Sequence, residues 1–177
     1  MTPPQGRGSF PPLDPGQPFP DIDMPDHTGR ARTLSELAAG DPLVVIFYRG
    51  WWCPKEQRYL RELTRLQDEF EVAYARLVAV SVDAPEVQSA FRAGLGARFT
   101  FLSDADRRWL PRLKLLETTD TVHSPYRPVQ LSLRPDLRIH AAYNGYWYWG
   151  RATAEELRRD MRAITRAIRS DWELPRA

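Results

Sequence analysis

The sequence predicts a single α/β domain with a central mixed β-sheet flanked by helices, and three observations carry that prediction. Two continuous apolar runs, LVVIFYR at 43–49 and LVAVSV at 77–82, have the length and β-branched content of strands buried on both faces. Each is followed by a segment whose apolar residues recur at helical spacing. The elements run β-α-β-α-β, a connection, then β-β-α, an order that calls for parallel and antiparallel neighbours in one sheet. A chain of 177 residues is long enough for one hydrophobic core, and no internal repeat divides it.

Taken in order, residues 1–20 are rich in Pro and Gly, which suit neither a helix interior nor a core. They read as an extended arm, with wrapping of a partner subunit as the alternative. The organisation expected is an arm at 1–21, a folded domain at 22–170 and a tail at 171–177. MPDHTGRARTL reads as two short extended pieces around a turn at His27–Gly29. Thr33 and Glu36 have capping-box spacing for a short helix carrying Leu34 and Leu37, ended by Gly40-Asp41-Pro42. After the first buried strand, Pro54 suits the first turn of a helix striped by Leu60, Leu63, Leu66 and Phe70. After the second, Asp83 and Glu86 have capping spacing for a helix carrying Val87, Phe91 and Leu95, closed by Gly94 and Gly96. FTFL at 99–102 is a third strand, and Ser103 is placed to cap a helical segment after it. Pro128 opens VQLSL, a fourth strand, and Arg134-Pro135-Asp136 turns the chain into RIHAAY, a fifth. Thr153 and Glu156 form a capping box for a last helix striped by Leu157, Met161, Ile164 and Ile168.

Composition excludes several classes. Net charge is +2 with acids and bases interleaved, so nucleic-acid binding has no electrostatic footprint. No stretch approaches the roughly 18 apolar residues of a membrane span, and the N-terminus lacks the apolar core of a signal peptide. A cytoplasmic protein without a membrane partner is expected. One cysteine permits no intrachain disulfide, and three scattered histidines give no metal-ligand spacing, so neither a metal nor a cofactor is expected.

The chemistry concentrates in FYRGWWCPKEQ, residues 47–57. A buried strand runs into an aromatic turn, and Cys53 then sits at the start of a helix. Unpaired N–H groups and the positive dipole end there favour a thiolate, the nucleophilic form of cysteine. The plainer reading is a small buried hydrophobe; Trp52 before the cysteine and Pro54 after it argue against that. Arg49 either supports the anion or pairs with an acid. Trp51 and Trp52 either wall a pocket or pack on the helix. Glu56, one helical turn after Cys53, disfavours the thiolate by repulsion, shuttles a proton, or is simply solvated, with Lys55 partly offsetting its charge. His123 lies in the connection, where an exposed loop histidine is the ordinary reading and approach to the pocket the alternative. His27 and His140 read as structural. Tyr143, Tyr146, Trp147, Tyr148 and Trp149 form a dense aromatic cluster, partly buried under the last helix, whose exposed part offers a homodimer or partner face.

This segment resembles the thioredoxin superfamily. More closely it resembles the peroxiredoxin-like branch of redoxins, the alkyl hydroperoxide reductase/thiol-specific antioxidant proteins. DHTGRARTLSEL, VSVDAPEVQSAFRAGLGARFTFLSD and RPVQLSLRPDLRI match that branch in order, so the resemblance covers about residues 22–168. It implies a thioredoxin-like fold and a peroxidatic Cys53. It also implies a role for Arg127 at the start of the strand facing the cysteine, lowering the thiol pKa and holding a peroxide oxygen. Pro128 aligns with the cis proline of thioredoxins, so a cis bond is expected before it. Two positions depart from the pattern. Glu56 stands where many relatives carry a second cysteine, which rules out an intramolecular dithiol cycle in this chain. Gly50 stands three residues before the cysteine, where typical peroxiredoxins place a threonine that orients the peroxide.

The reading that follows is a one-cysteine peroxidase, an antioxidant oxidoreductase that reduces hydroperoxides through a sulfenic acid on Cys53. An external thiol of thioredoxin, glutaredoxin or glutathione type restores it. The alternatives are a monothiol disulfide oxidoreductase or glutathione-dependent enzyme acting on disulfides, and a non-catalytic binding module. A cysteine hydrolase would need a histidine base beside the thiol, and nothing in the sequence pairs one with Cys53.

Overall fold

The computed structural model describes residues 13–174. Its elements are β1 (Asp23–Pro25), β2 (Ala31–Thr33), α1 (Leu34–Ala38), β3 (Leu43–Phe47), α2 (Pro54–Val72), β4 (Arg76–Ser81), α3 (Pro85–Leu95), β5 (Thr100–Ser103), β6 (Val129–Leu133), β7 (Ile139–Asn144) and α4 (Ala154–Ile168), with a 3₁₀ turn at Tyr148–Gly150. The five-stranded sheet runs in the order β5-β4-β3-β6-β7, and β1 and β2 form a separate hairpin. β3, β4 and β5 are mutually parallel, while β6 is antiparallel to both β3 and β7. The mixed α/β sheet expected from the two apolar runs is the one observed.

β3 is central, and all five of its residues are buried, because each face of the sheet has its own core. Leu43, Val45 and Phe47 point to one side, and Val44, Ile46 and Tyr48 to the other. On the second side α2 and α4 supply Tyr59, Leu60, Leu63, Phe70, Leu157, Met161 and Ile164, the helical stripes legible in the sequence. On the first side the described residues place no long helix. The short α1, residues 19–24 and the irregular connection bring Phe19, Ile22, Leu34, Leu110, Leu113, Leu115 and Tyr126 against the sheet.

Several local expectations need correction. Residues 1–12 lie outside the described residues, but the last part of the proline-rich arm buries more than its composition suggested. Gly16 and Phe19 donate backbone hydrogen bonds to Ile139 and Leu137, and the Phe19 side chain is in the core. Asp83 does not cap α3. That helix starts at Pro85 behind Ala84 without a side-chain cap, because the Asp83 carboxylate is engaged elsewhere. Ser103 opens no helix: its hydroxyl donates to the Asp83 carbonyl at 2.6 Å. The neighbouring Asp104 instead gathers the N–H groups of Trp109 and Leu110 and the Tyr126 hydroxyl, which shapes the connection as turns. Thr33 does accept the Glu36 N–H, and Thr153 with Glu156 forms the full capping box.

Candidate active site

The C-terminal ends of the parallel strands β3 and β4 meet the start of β6 at one edge of the sheet, and the 47–57 segment folds there. Cys53 is the N-cap residue of α2, with extended backbone, and Pro54 takes the first helical position. Proline fits there because its missing N–H is one the helix leaves unpaired. The Cys53 N–H donates to the Gly50 carbonyl at 3.2 Å, closing a turn over 50–53. The Cys53 carbonyl accepts from the N–H groups of Glu56 (3.1 Å) and Gln57 (3.0 Å). The thiol therefore sits at the positive end of a 19-residue helix, and the residue is only 3% exposed. It is buried, as the plainer reading of the lone cysteine has it, and it stands at the helix start, where the other reading places it.

Asp83, just after β4, holds the turn. Its Oδ2 accepts the Trp51 N–H at 3.0 Å and the Ser81 hydroxyl at 2.9 Å. Burial pushes its carboxyl above the usual range, and these donors pull it back. From the other side the Gln57 amide donates to the Trp51 carbonyl at 2.8 Å. Trp51 is thus pinned through its backbone while its side chain stays about half exposed.

Trp52 lies against Gly50 of the turn. One partner of its ring is His123, stacked at 3.8 Å between centroids and 17° between planes. The Arg49 guanidinium also stands over the ring, 5.1 Å from the centroid. Arg49 in turn bonds Asp120 at 2.6 Å, and the His123 ring Nδ1 lies 3.1 Å from the same carboxylate. The backbone N–H of His123 leads the contacts that hold the Asp120 carboxyl below the ordinary range, with Arg49 adding to them. Of the two readings of Arg49, the structure shows the acid pairing. His123 reaches the active turn although it is 73 positions beyond Gly50, and Asp120, which the sequence did not single out, ties the two together.

Glu56 is not solvated. It is fully buried and pairs with Arg151 at 2.5 Å. Burial pushes its carboxyl upward, and Arg151 opposes that shift. Arg151 is itself buried, with its guanidinium against the rings of Tyr148 (5.1 Å) and Tyr59 (5.8 Å). Sequence reasoning missed Arg151. The only signal for it was its place directly after the aromatic cluster, whose Tyr148 helps to cover it, while Trp147 and Trp149 remain exposed.

Arg127 stands two residues before Val129, the β6 partner of Phe47. Its backbone N–H donates to Leu115, and its guanidinium faces the Tyr146 ring at 6.0 Å. The bond between Arg127 and Pro128 is trans, contrary to expectation, as are all peptide bonds among the described residues. The Leu116–Tyr126 bridge and the Arg127 N–H bond keep the chain extended on its way into β6, which a trans bond continues. Among the described residues, no group of His, Cys, Asp and Glu is arranged to hold a metal, and no helix is long and apolar enough to cross a membrane.

Comparison with known proteins agrees with this geometry. The model of the AhpC/TSA family matches residues 15–133. Over 93 residues the chain is 33% identical to a Mycobacterium tuberculosis protein whose name assigns it provisionally to the peroxiredoxins; the match covers 51% of this chain and 58% of that relative, less than two thirds of its length. Among solved structures, peroxidoxin BcpB from M. tuberculosis superposes with a TM-score of 0.73 at 23% identity, covering 88% of this chain and 98% of the other. A peroxiredoxin 6 mutant from Arenicola marina gives a TM-score of 0.74 at 16% identity, covering 90% and 80%. At those identities the structures establish the thioredoxin-like fold.

Proposed function

This chain belongs to the AhpC/TSA family, and from that premise we propose that it is a one-cysteine peroxidase acting on hydroperoxides. The observation that carries the reading is a single buried thiol at the N-terminus of α2, with no second cysteine in the sequence. The Cys53 thiolate attacks the terminal peroxide oxygen, forming an S–O bond as the O–O bond breaks. The electron pair departs on the other oxygen, which takes up a proton and leaves as an alcohol, or as water when the substrate is hydrogen peroxide. The cysteine sulfenic acid then condenses with an external thiol, releasing water and forming a mixed disulfide. A second external thiol displaces Cys53 and leaves as the disulfide. The helix terminus stabilises the thiolate before attack, and Arg127 supplies a cation at the mouth of β6.

A cycle that needs two outside thiols per turnover suits a reducing compartment such as the cytoplasm. The exposed Trp147 and Trp149 support a homodimer or partner face. The testing experiment mixes reduced protein with a slight excess of hydrogen peroxide and follows tryptophan fluorescence by stopped flow, with Cys53→Ser as the control. Oxidation orders of magnitude faster than a free thiol, absent from the control, is expected. A free-thiol rate would move the assignment to disulfide exchange.

A further inference from the structure

The turn that carries Cys53 contains an unusual exchange between two neighbours. Gly50 has a φ of 155°, and a Cβ built on it would lie 2.5 Å from Trp52 Nε1 and 3.2 Å from Asp83 Oδ1. The polar edge of the Trp52 indole therefore occupies the place where a side chain at residue 50 would begin. Any residue but glycine there would expel the indole. The ring cannot readily swing away, because His123 stacks on it and the Arg49 guanidinium stands over it, both tied to Asp120. Its Nε1–H makes no hydrogen bond to another of the described residues and is not one of their buried unpaired polar atoms, so it is open to a ligand. The turn that carries Cys53 thus holds an immobilised donor at the corner left by Gly50.

We propose that Trp52 is a catalytic residue of the peroxidase reaction, its indole N–H donating a hydrogen bond to the peroxide at Cys53. This rests on the peroxidase reading above. Breaking the O–O bond puts negative charge on the departing oxygen, and a donor already immobilised by its neighbours stabilises that charge without reorganising. An indole N–H can only donate. It therefore serves the leaving oxygen, which accepts, and cannot take the proton of the hydroperoxide. Gly50 is the condition for this arrangement, since it leaves the corner free for the indole.

The test uses the full chain. Trp52→Phe keeps a flat ring on His123 and removes the N–H. A second variant with 3-benzothienylalanine at position 52 keeps the bicyclic shape and replaces N–H by sulfur, which guards against a packing defect in the first. For each, the rate constant of Cys53 oxidation by hydrogen peroxide is measured by mass spectrometry after rapid quench. The alkylation rate by iodoacetamide is measured across pH, which reports the thiolate without involving a peroxide. The expected result is a fall of about tenfold or more in the peroxide rate for both variants, with the alkylation profile unchanged. Variants oxidised at the parent rate would overturn the proposal while leaving the peroxidase reading intact. Equal falls in oxidation and alkylation would also overturn it, assigning Trp52 to thiolate stabilisation or packing. A parent chain oxidised no faster than a free thiol would overturn both.

Discussion

At the scale of single residues, the helix start that carries Cys53 also carries a buried charge one turn on. Glu56 and Arg151 are an ion pair with both partners buried. Removing one side of such a pair leaves an uncompensated charge, so Arg151→Ala is expected to destabilise the fold by about 3–5 kcal/mol, read by guanidinium denaturation. Glu56→Leu combined with Arg151→Met is expected to recover most of that loss; a double variant as unstable as the single one would show that packing around Tyr59 and Tyr148, not charge, is what Arg151 provides. Asp83 holds the Trp51 N–H of the turn, which makes it a candidate positioning residue. Asp83→Ala frees the Trp51 N–H and is expected to slow peroxide oxidation of Cys53 severalfold, without abolishing it, in the stopped-flow assay. A rate equal to the parent's would mean that the Gln57 amide alone holds the turn. Neither role was visible in the chain's order. Cys53, Pro54 and the departures at Gly50 and Glu56 were legible there because they are contiguous. Arg151 and Asp120 were not, because they lie 67 or more positions beyond Cys53 and carry no motif of their own, and the approach of His123 was only the alternative to an exposed loop residue.

Elements are fixed in place by a few polar contacts at their ends. The β1–β2 hairpin attaches to β5 through His27, whose backbone N–H donates to the Phe101 carbonyl at 2.9 Å and whose ring Nδ1 accepts from the Phe101 N–H at 3.4 Å. Burial, with Arg92 adding to it and Asp26 opposing it, holds the His27 pKa below its ordinary value. The sign of the effect follows from linkage. As pH falls through about 6.5 the unfolded chain takes up this proton before the folded one. Stability present above that pH is therefore lost progressively as pH drops toward the depressed folded value, and it levels off below it. Urea midpoints measured between pH 8 and pH 5 should show this decline, and His27→Gln should flatten that part of the curve. A parent curve with no slope there would contradict the assignment. At the other end of the chain the Thr153–Glu156 capping box starts α4. Thr153→Ala is expected to cost about 1 kcal/mol of stability, seen in the same titration. Helix starts signalled by adjacent residues, such as this one and Pro54, were readable in advance. The start of α3 was misread because Asp83 has two possible uses, and the nearby Trp51 N–H competes for it.

At the scale of the whole molecule, the neighbouring exposed aromatics Trp147 and Trp149 follow β7, at 61% and 92% exposure. A face of that kind predicts self-association, so size-exclusion chromatography with light scattering should give a dimer that Trp147→Ser with Trp149→Ser converts to a monomer. A monomeric parent would leave the aromatics without that explanation. The sequence by itself determined the sheet, the helix stripes and the place of the cysteine at a helix start, since these follow from periodicity and from neighbours along the chain. Only the tertiary structure decided that Glu56 is buried against Arg151, that the bond before Pro128 is trans, and that Trp52 fills the space left by Gly50. The physical reason is the same in each case. Desolvation, charge pairing and steric exclusion act between groups brought together through space, and their sign is set by partners that the linear order does not name.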